Sequence, residues 1–203
     1  MSRHIALTAC LGALAAFAAL AASWLVTANY GFAQGVLAQP GTPAETRDPL
    51  SIAAANAGVR QCAPVLGALS SIGGRDARNS DVLFDWDRRR ADVAAAFTLV
   101  GLEYAQGNAA LSLTAVPEAD GSCSVAAERI AFDLHACKEI AQRELHGYQA
   151  TPLLAHMTVY TRAQDRGSSV SLIDSPPGCL TIRRYVKYST RSTAISAGSG
   201  ASP

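Results

Sequence analysis

Apolar and polar positions along this chain follow three different periods, and each predicts a different kind of element. Ile5 to Val26 is an almost unbroken apolar run. From 49 to 72 the apolar residues Ile52, Ala55, Val59, Cys62, Leu66 and Leu69 recur at spacings of three and four, the period of a helix with one buried side. Asp48 is placed as an N-cap and Pro49 suits the first helical position, while Pro64 interrupts the stripe and Gly73 and Gly74 end it. Two short helices are expected, about 49–58 and 63–72, sharing one apolar face.

Beyond residue 75 the period shortens to two. Val82, Phe84 and Trp86 alternate with Asp81, Leu83, Asp85 and Asp87, which indicates a short strand or an extended crossing over the core. Residues 93–104 and 109–116 flank a tight turn at Gly107 and Asn108 and predict a hairpin. Leu111, Leu113 and Ala115 fall on one face of its second strand and Ser112 and Thr114 on the other, the pattern of a sheet wet on one side. After a turn at 117–121, residues 122–133 predict a third strand leading into a helix over about 134–145, which Gly147 closes. Segments 153–162, 168–174 and 179–188 predict three more strands. The fold class expected is α+β: a small, mostly antiparallel sheet of two three-strand meanders with helices packed on one face, held by two disulfides. No internal repeat is visible in the sequence.

The first apolar run changes the picture of the whole chain. Behind Met1–His4, with Arg3 its one fixed positive charge, the run has the composition of an export signal. Small residues allow cleavage after Ala28, Ala33 or Ala38, and Ala38 is favoured because the polar, proline-punctuated stretch begins there. A run of about 22 residues is also long enough to span a bilayer, so the alternative is a retained inner-membrane anchor facing the periplasm. The chain then divides into an export signal at 1–38, a flexible linker at 39–48, one α+β domain at 49–188 and a disordered tail at 189–203. The arginine-rich, alanine-rich composition suits a GC-rich bacterial genome, and the expected location is periplasmic or secreted. Of the 17 basic and 16 acidic residues only Arg3 leaves with the leader, so the mature charge is near zero and gives no reason to expect nucleic acid as a partner.

Four cysteines remain after the leader: Cys62, Cys123, Cys137 and Cys179. In an exported chain they are expected as two disulfides. A strand from Ser122 to Asp133 holds Cys123 and Cys137 some 35 Å apart at about 3.3 Å per residue, far beyond disulfide reach. Two pairings stay open. Cys137 with Cys179 and Cys62 with Cys123 follows if the last strand runs antiparallel to the third; Cys123 with Cys179 and Cys62 with Cys137 follows if the strand starts lie together. The first is favoured because antiparallel neighbours are the commoner.

Candidate chemistry is sparse. Residues 131–148 gather His135, Cys137, Glu144 and His146, but on a helix His135 and Cys137 point to opposite sides and no close ligand pair is present, so no metal site is expected. With every mature cysteine bonded, no thiol nucleophile remains. The motifs of serine hydrolases, zinc proteases, phosphate loops and dinucleotide folds are missing, no cofactor is expected, and no motif names a family. Asp85 and Asp87 beside Arg88–Arg90 are expected on a solvated face. In the last strand Arg183, Tyr185 and Lys187 share a face and are expected as an exposed strip of cations around a ring, a candidate surface for a partner. The function expected is an exported, non-enzymatic envelope or secreted module that binds another protein or a cell-wall component. One alternative is a small ligand-binding or hydrolase-like domain with a site dispersed over Asp133, His135, His156 and Tyr160; another is a periplasmic inhibitor of a hydrolase.

Overall fold

The computed structural model describes residues 36–37 and 48–189. The leader apart from Val36 and Leu37, the linker apart from Asp48, and the tail apart from Ser189 lie outside them. Among the described residues three helices, α1 (Pro49–Ala57), α2 (Ala63–Gly73) and α3 (Cys137–Glu144), accompany eight strands: β1 (Asn79–Trp86), β2 (Ala96–Tyr104), β3 (Gly107–Pro117), β4 (Cys123–Asp133), β5 (Gln149–Leu154), β6 (Met157–Thr161), β7 (Ser168–Ser175) and β8 (Gly178–Lys187). All eight form one antiparallel sheet in the order β1-β2-β3-β4-β8-β7-β6-β5.

The expected two meanders are therefore four strands each. They meet at the centre, where the last strand of one pairs with the last strand of the other. The first meander gains β1, whose alternation was visible in the sequence. The second gains a strand because 153–162, expected as one strand, belongs to a hairpin that turns at Ala155 and His156, residues without a turn signature.

The local rules hold at the helix starts. Asp48 caps α1 by accepting from the backbone N–H groups of Leu50 and Ser51, and it also accepts from the Ser51 and Ser70 hydroxyls, which ties the start of α1 to α2. Gly58 closes α1 with φ of 79°, a conformation in which an L side chain is strained. Of the expected stripe, Val59, Cys62, Leu66 and Leu69 are buried, but within α1 the buried residues are Leu50 and Ala54 while Ile52 is exposed. Pro64 stands in the first turn of α2, where a missing N–H costs nothing.

Helices lie on one side of the sheet: α1 packs on β1, α2 on β3 and β4, and α3 on β7 and β8. The core sits between them and the inward residues of the strands, among them Val100, Leu111, Leu113, Ala127, Val170 and Leu172. Val36 and Leu37 are part of this core, 1% and 0% exposed. Among the described residues no helix covers the opposite side of the sheet, which exposes Leu83, Phe97, Leu99 and Phe132.

Cys62 bonds Cys123 and Cys137 bonds Cys179, with Cα separations of 5.8 and 5.0 Å. Of the two pairings left open, the antiparallel β4–β8 register selects this one by placing Cys179 opposite Asp133, at the exit of β4. Two disulfides in one domain belong to an oxidising compartment outside the cytoplasm. Among the described residues no helix is long and apolar enough to cross a membrane.

Candidate functional site

Because α2 covers β3 and β4 while α3 covers β7 and β8, the helix layer has a gap over the middle of the sheet. A cleft of about 620 Å³ occupies it. Arg129, Ala131 and Asp133 from β4 and Thr181 and Arg183 from β8 line its sheet side; Ile140, Arg143 and Glu144 of α3 form one wall; Tyr104 and the β2–β3 turn at Gln106–Asn108 form the other.

The residues at the bottom follow from strand parity. Cys123 and Cys179 reach helix-borne partners, so every second residue from them faces the helices: Arg129 on β4, and Thr181, Arg183 and Tyr185 on β8. Arg129 and Arg183 stand directly opposite each other in the register, two cations side by side on adjacent strands. Such a pair is unfavourable unless negative charge or an aromatic face lies near it. Arg129, 5% exposed, lies over the Tyr104 ring at 5.1 Å. Arg183 donates through Nη2 to Glu144 Oε2, and Glu144 Oε1 accepts from Arg143 Nη2 at 2.8 Å. One carboxylate at the end of α3 thus bridges a strand arginine and a helix arginine.

Asp133 and His135 sit at the cleft's rim. Asp133 Oδ1 accepts from the His135 backbone N–H at 2.8 Å and pairs with His135 Nδ1 at 2.6 Å. Burial pushes the Asp133 carboxyl up, but the two His135 hydrogen bonds, with help from Arg143, outweigh it and hold the group below its ordinary range. The pair has the geometry of a carboxylate orienting an imidazole, yet no serine or cysteine lines the cleft, and the Thr181 hydroxyl donates instead to the Ala131 carbonyl at 3.1 Å.

The four residues considered as a dispersed site do not come together. His156 and Tyr160 line a second cleft of about 380 Å³, with Lys138 and Asp174, on the other side of α3. Of the cluster at 131–148, His135 and Glu144 line the first cleft, while Cys137 is bonded to Cys179 and the His146 carbonyl accepts from Arg162. Among the described residues no three His, Cys, Asp or Glu side chains gather to hold a metal ion. Asp87 closes its own turn, accepting from the Arg89 backbone and the Arg90 side chain, which lowers its pKa.

The strip expected on the surface of β8 needs correction. Tyr185 is 3% exposed and Arg183 faces the cleft, whereas Lys187 at the strand's end is exposed. The apolar residues Leu180 and Ile182, which alternate with them along β8, lie on the other side of the sheet. Disulfide geometry outweighs apolar periodicity here, because Cys179 must point at Cys137. Arg129 and Tyr104 were missed altogether; counting by twos from Cys123 would have placed Arg129 on the covered face. No protein-family model, curated protein or solved structure matches the chain.

Proposed function

We propose that this protein is an exported, non-catalytic module, periplasmic or secreted, that holds a protein or cell-wall partner in the cleft between α3 and the β2–β3 turn. The observation that carries this reading is the cleft itself. At about 620 Å³ against about 380 Å³ it is the larger of the two clefts beside α3, and it combines apolar wall with convergent charged groups, a combination typical of binding sites. A catalytic reading lacks a nucleophile beside the Asp133–His135 pair. The opposite face of the sheet presents apolar side chains, Leu83, Phe97 and Leu99 among them.

Site-directed photocrosslinking tests the proposal. A photoreactive residue at Leu134, 75% exposed at the rim, is expected to join a discrete partner in the intact envelope, while the same residue at Leu83, exposed on the helix-free face, is expected to give none. Crosslinks from Leu83 alone would move the binding surface to the other side of the sheet.

A further inference from the structure

Resting on that reading, we infer that the group recognised in the cleft is the terminal carboxylate of a peptide ending in an aliphatic residue, and that Glu144 occupies its place in the empty protein. Three guanidiniums, of Arg129, Arg143 and Arg183, line the cleft with two carboxylates, of Asp133 and Glu144, so positive side chains outnumber negative ones there and an anion is the complementary ligand.

The arrangement is already built for a carboxylate, because it holds one. Arg143 and Arg183 approach Glu144 from two sides and take one oxygen each, the geometry that a planar carboxylate offers and a point anion does not. Glu144 is poorly placed for this duty. It is the last residue of α3, where the helix dipole presents its negative end and disfavours a carboxylate. Its side chain remains 26% exposed, with a route to solvent. A ligand carboxylate arriving from outside meets the same two arginines without the helix-end penalty, and releases Glu144 to water. Beside the arginines, Tyr104, Leu134 and Ile140 supply apolar wall for the aliphatic side chain, and Gln106, Asn108 and Thr181 supply polar groups for the peptide backbone.

Calorimetric titration of the purified exported chain tests this with four probes: N-acetyl-L-leucine, N-acetyl-D-alanyl-D-alanine, N-acetyl-L-leucine amide and inorganic phosphate. One of the two carboxylates is expected to bind, the first pointing to a protein C-terminus and the second to a cell-wall peptide, with the amide at least tenfold weaker. Glu144→Gln is expected to tighten carboxylate binding at least threefold by removing the internal competitor, and Arg183→Lys to weaken it at least fivefold, since Lys keeps the charge but not the fork. An amide that binds as well as its acid, or phosphate that binds tighter than both acids, overturns the inference. So does a folded Glu144→Gln protein with unchanged or weaker binding, which is what a purely structural Glu144 would give. A crosslink from Leu134 with no carboxylate preference would leave the cleft as a partner site and remove only its chemistry.

Discussion

The two disulfides close loops of similar length, yet their removal is expected to have different structural consequences. Replacing both cysteines of a pair by alanine restores to the unfolded chain the entropy of a closed loop. With sequence separations of 61 for Cys62–Cys123 and 42 for Cys137–Cys179, the loss is roughly 4 kcal/mol in each case and the difference between them only about 0.3 kcal/mol, because the dependence on length is logarithmic. With a guanidinium slope of about 4 kcal/mol per molar, either double variant should unfold at a denaturant concentration roughly 1 M lower. What remains folded differs. The seven buried residues of α2 include Val65, Leu66, Leu69 and Ile72, so it stays docked without its bridge. In α3 only Cys137 and Ile140 are buried within eight residues, and an isolated helix of that length is unstable in water. Hydrogen exchange under native conditions is therefore expected to show amides of 140–145 losing protection in the Cys137→Ala, Cys179→Ala protein, while α2 amides in the Cys62→Ala, Cys123→Ala protein keep theirs. Equal protection of α3 with and without its disulfide would refute the view that this bond holds the cleft's wall in place.

Gly178→Ala should cost about 1 to 3 kcal/mol by overpacking, since a Cβ there would stand 2.0 Å from the Asp133 carbonyl oxygen in the central strand pair; a chemical denaturation curve measures it. Asp92 accepts from the backbone N–H groups of Gln61 and Arg60, which lower its pKa. Its stabilisation is therefore present above the ordinary carboxylate range and is lost as pH falls through the depressed native value, so Asp92→Asn should be less stable than the native protein near neutrality and indistinguishable from it in strong acid. Because Val36 and Leu37 are buried, a chain beginning at Gln39 should be less stable than one beginning at Gln34, by up to about 3 to 6 kcal/mol for two buried aliphatic side chains. Intact-mass measurement of the exported protein is correspondingly expected to show a first residue upstream of Val36, as cleavage after Ala28 or Ala33 would leave it.

Much of the frame was legible because turns and caps are local. Gly107 and Asn108 mark the β2–β3 hairpin, Asp48 and Pro49 mark the start of α1, and the length of β4 alone removes one disulfide pairing. Where a turn lacks Gly, Pro or Asn, as at Ala155 and His156, the break between β5 and β6 left no trace and one strand was lost. The face of β8 was misjudged for a different reason. Apolar alternation tells which residues share a side, not which side is covered, and this sheet keeps moderately apolar side chains on the side without helices. Cysteine parity held the missing information. The cleft itself was illegible, since Arg129, Glu144 and Arg183 are drawn together by the pairing of β4 with β8 and the docking of α3, across separations of up to 54 residues.

The meeting of the two meanders at β4 and β8 makes the molecule a dimer written in one chain. With α1 set aside, each half is a helix followed by four strands, and each disulfide joins the start of a helix to the start of its half's fourth strand: Cys62, the N-cap of α2, to Cys123 of β4, and Cys137 of α3 to Cys179 of β8. Laying Cys123 on Cys179 along the strands carries Glu128 onto Arg184, two residues that face each other in the register and form an ion pair at 3.3 Å. A local twofold axis passes between them. This is the arrangement that duplication and fusion of a single helix-and-meander unit produces. A lone unit would leave its fourth strand as an open edge, a template for a second copy, and fusion makes that pairing permanent. The same superposition carries Arg129 onto Tyr185 and Ala127 onto Arg183, so the strand arginines of the cleft have no counterparts across the axis: the site lies where the symmetry of the two halves is broken.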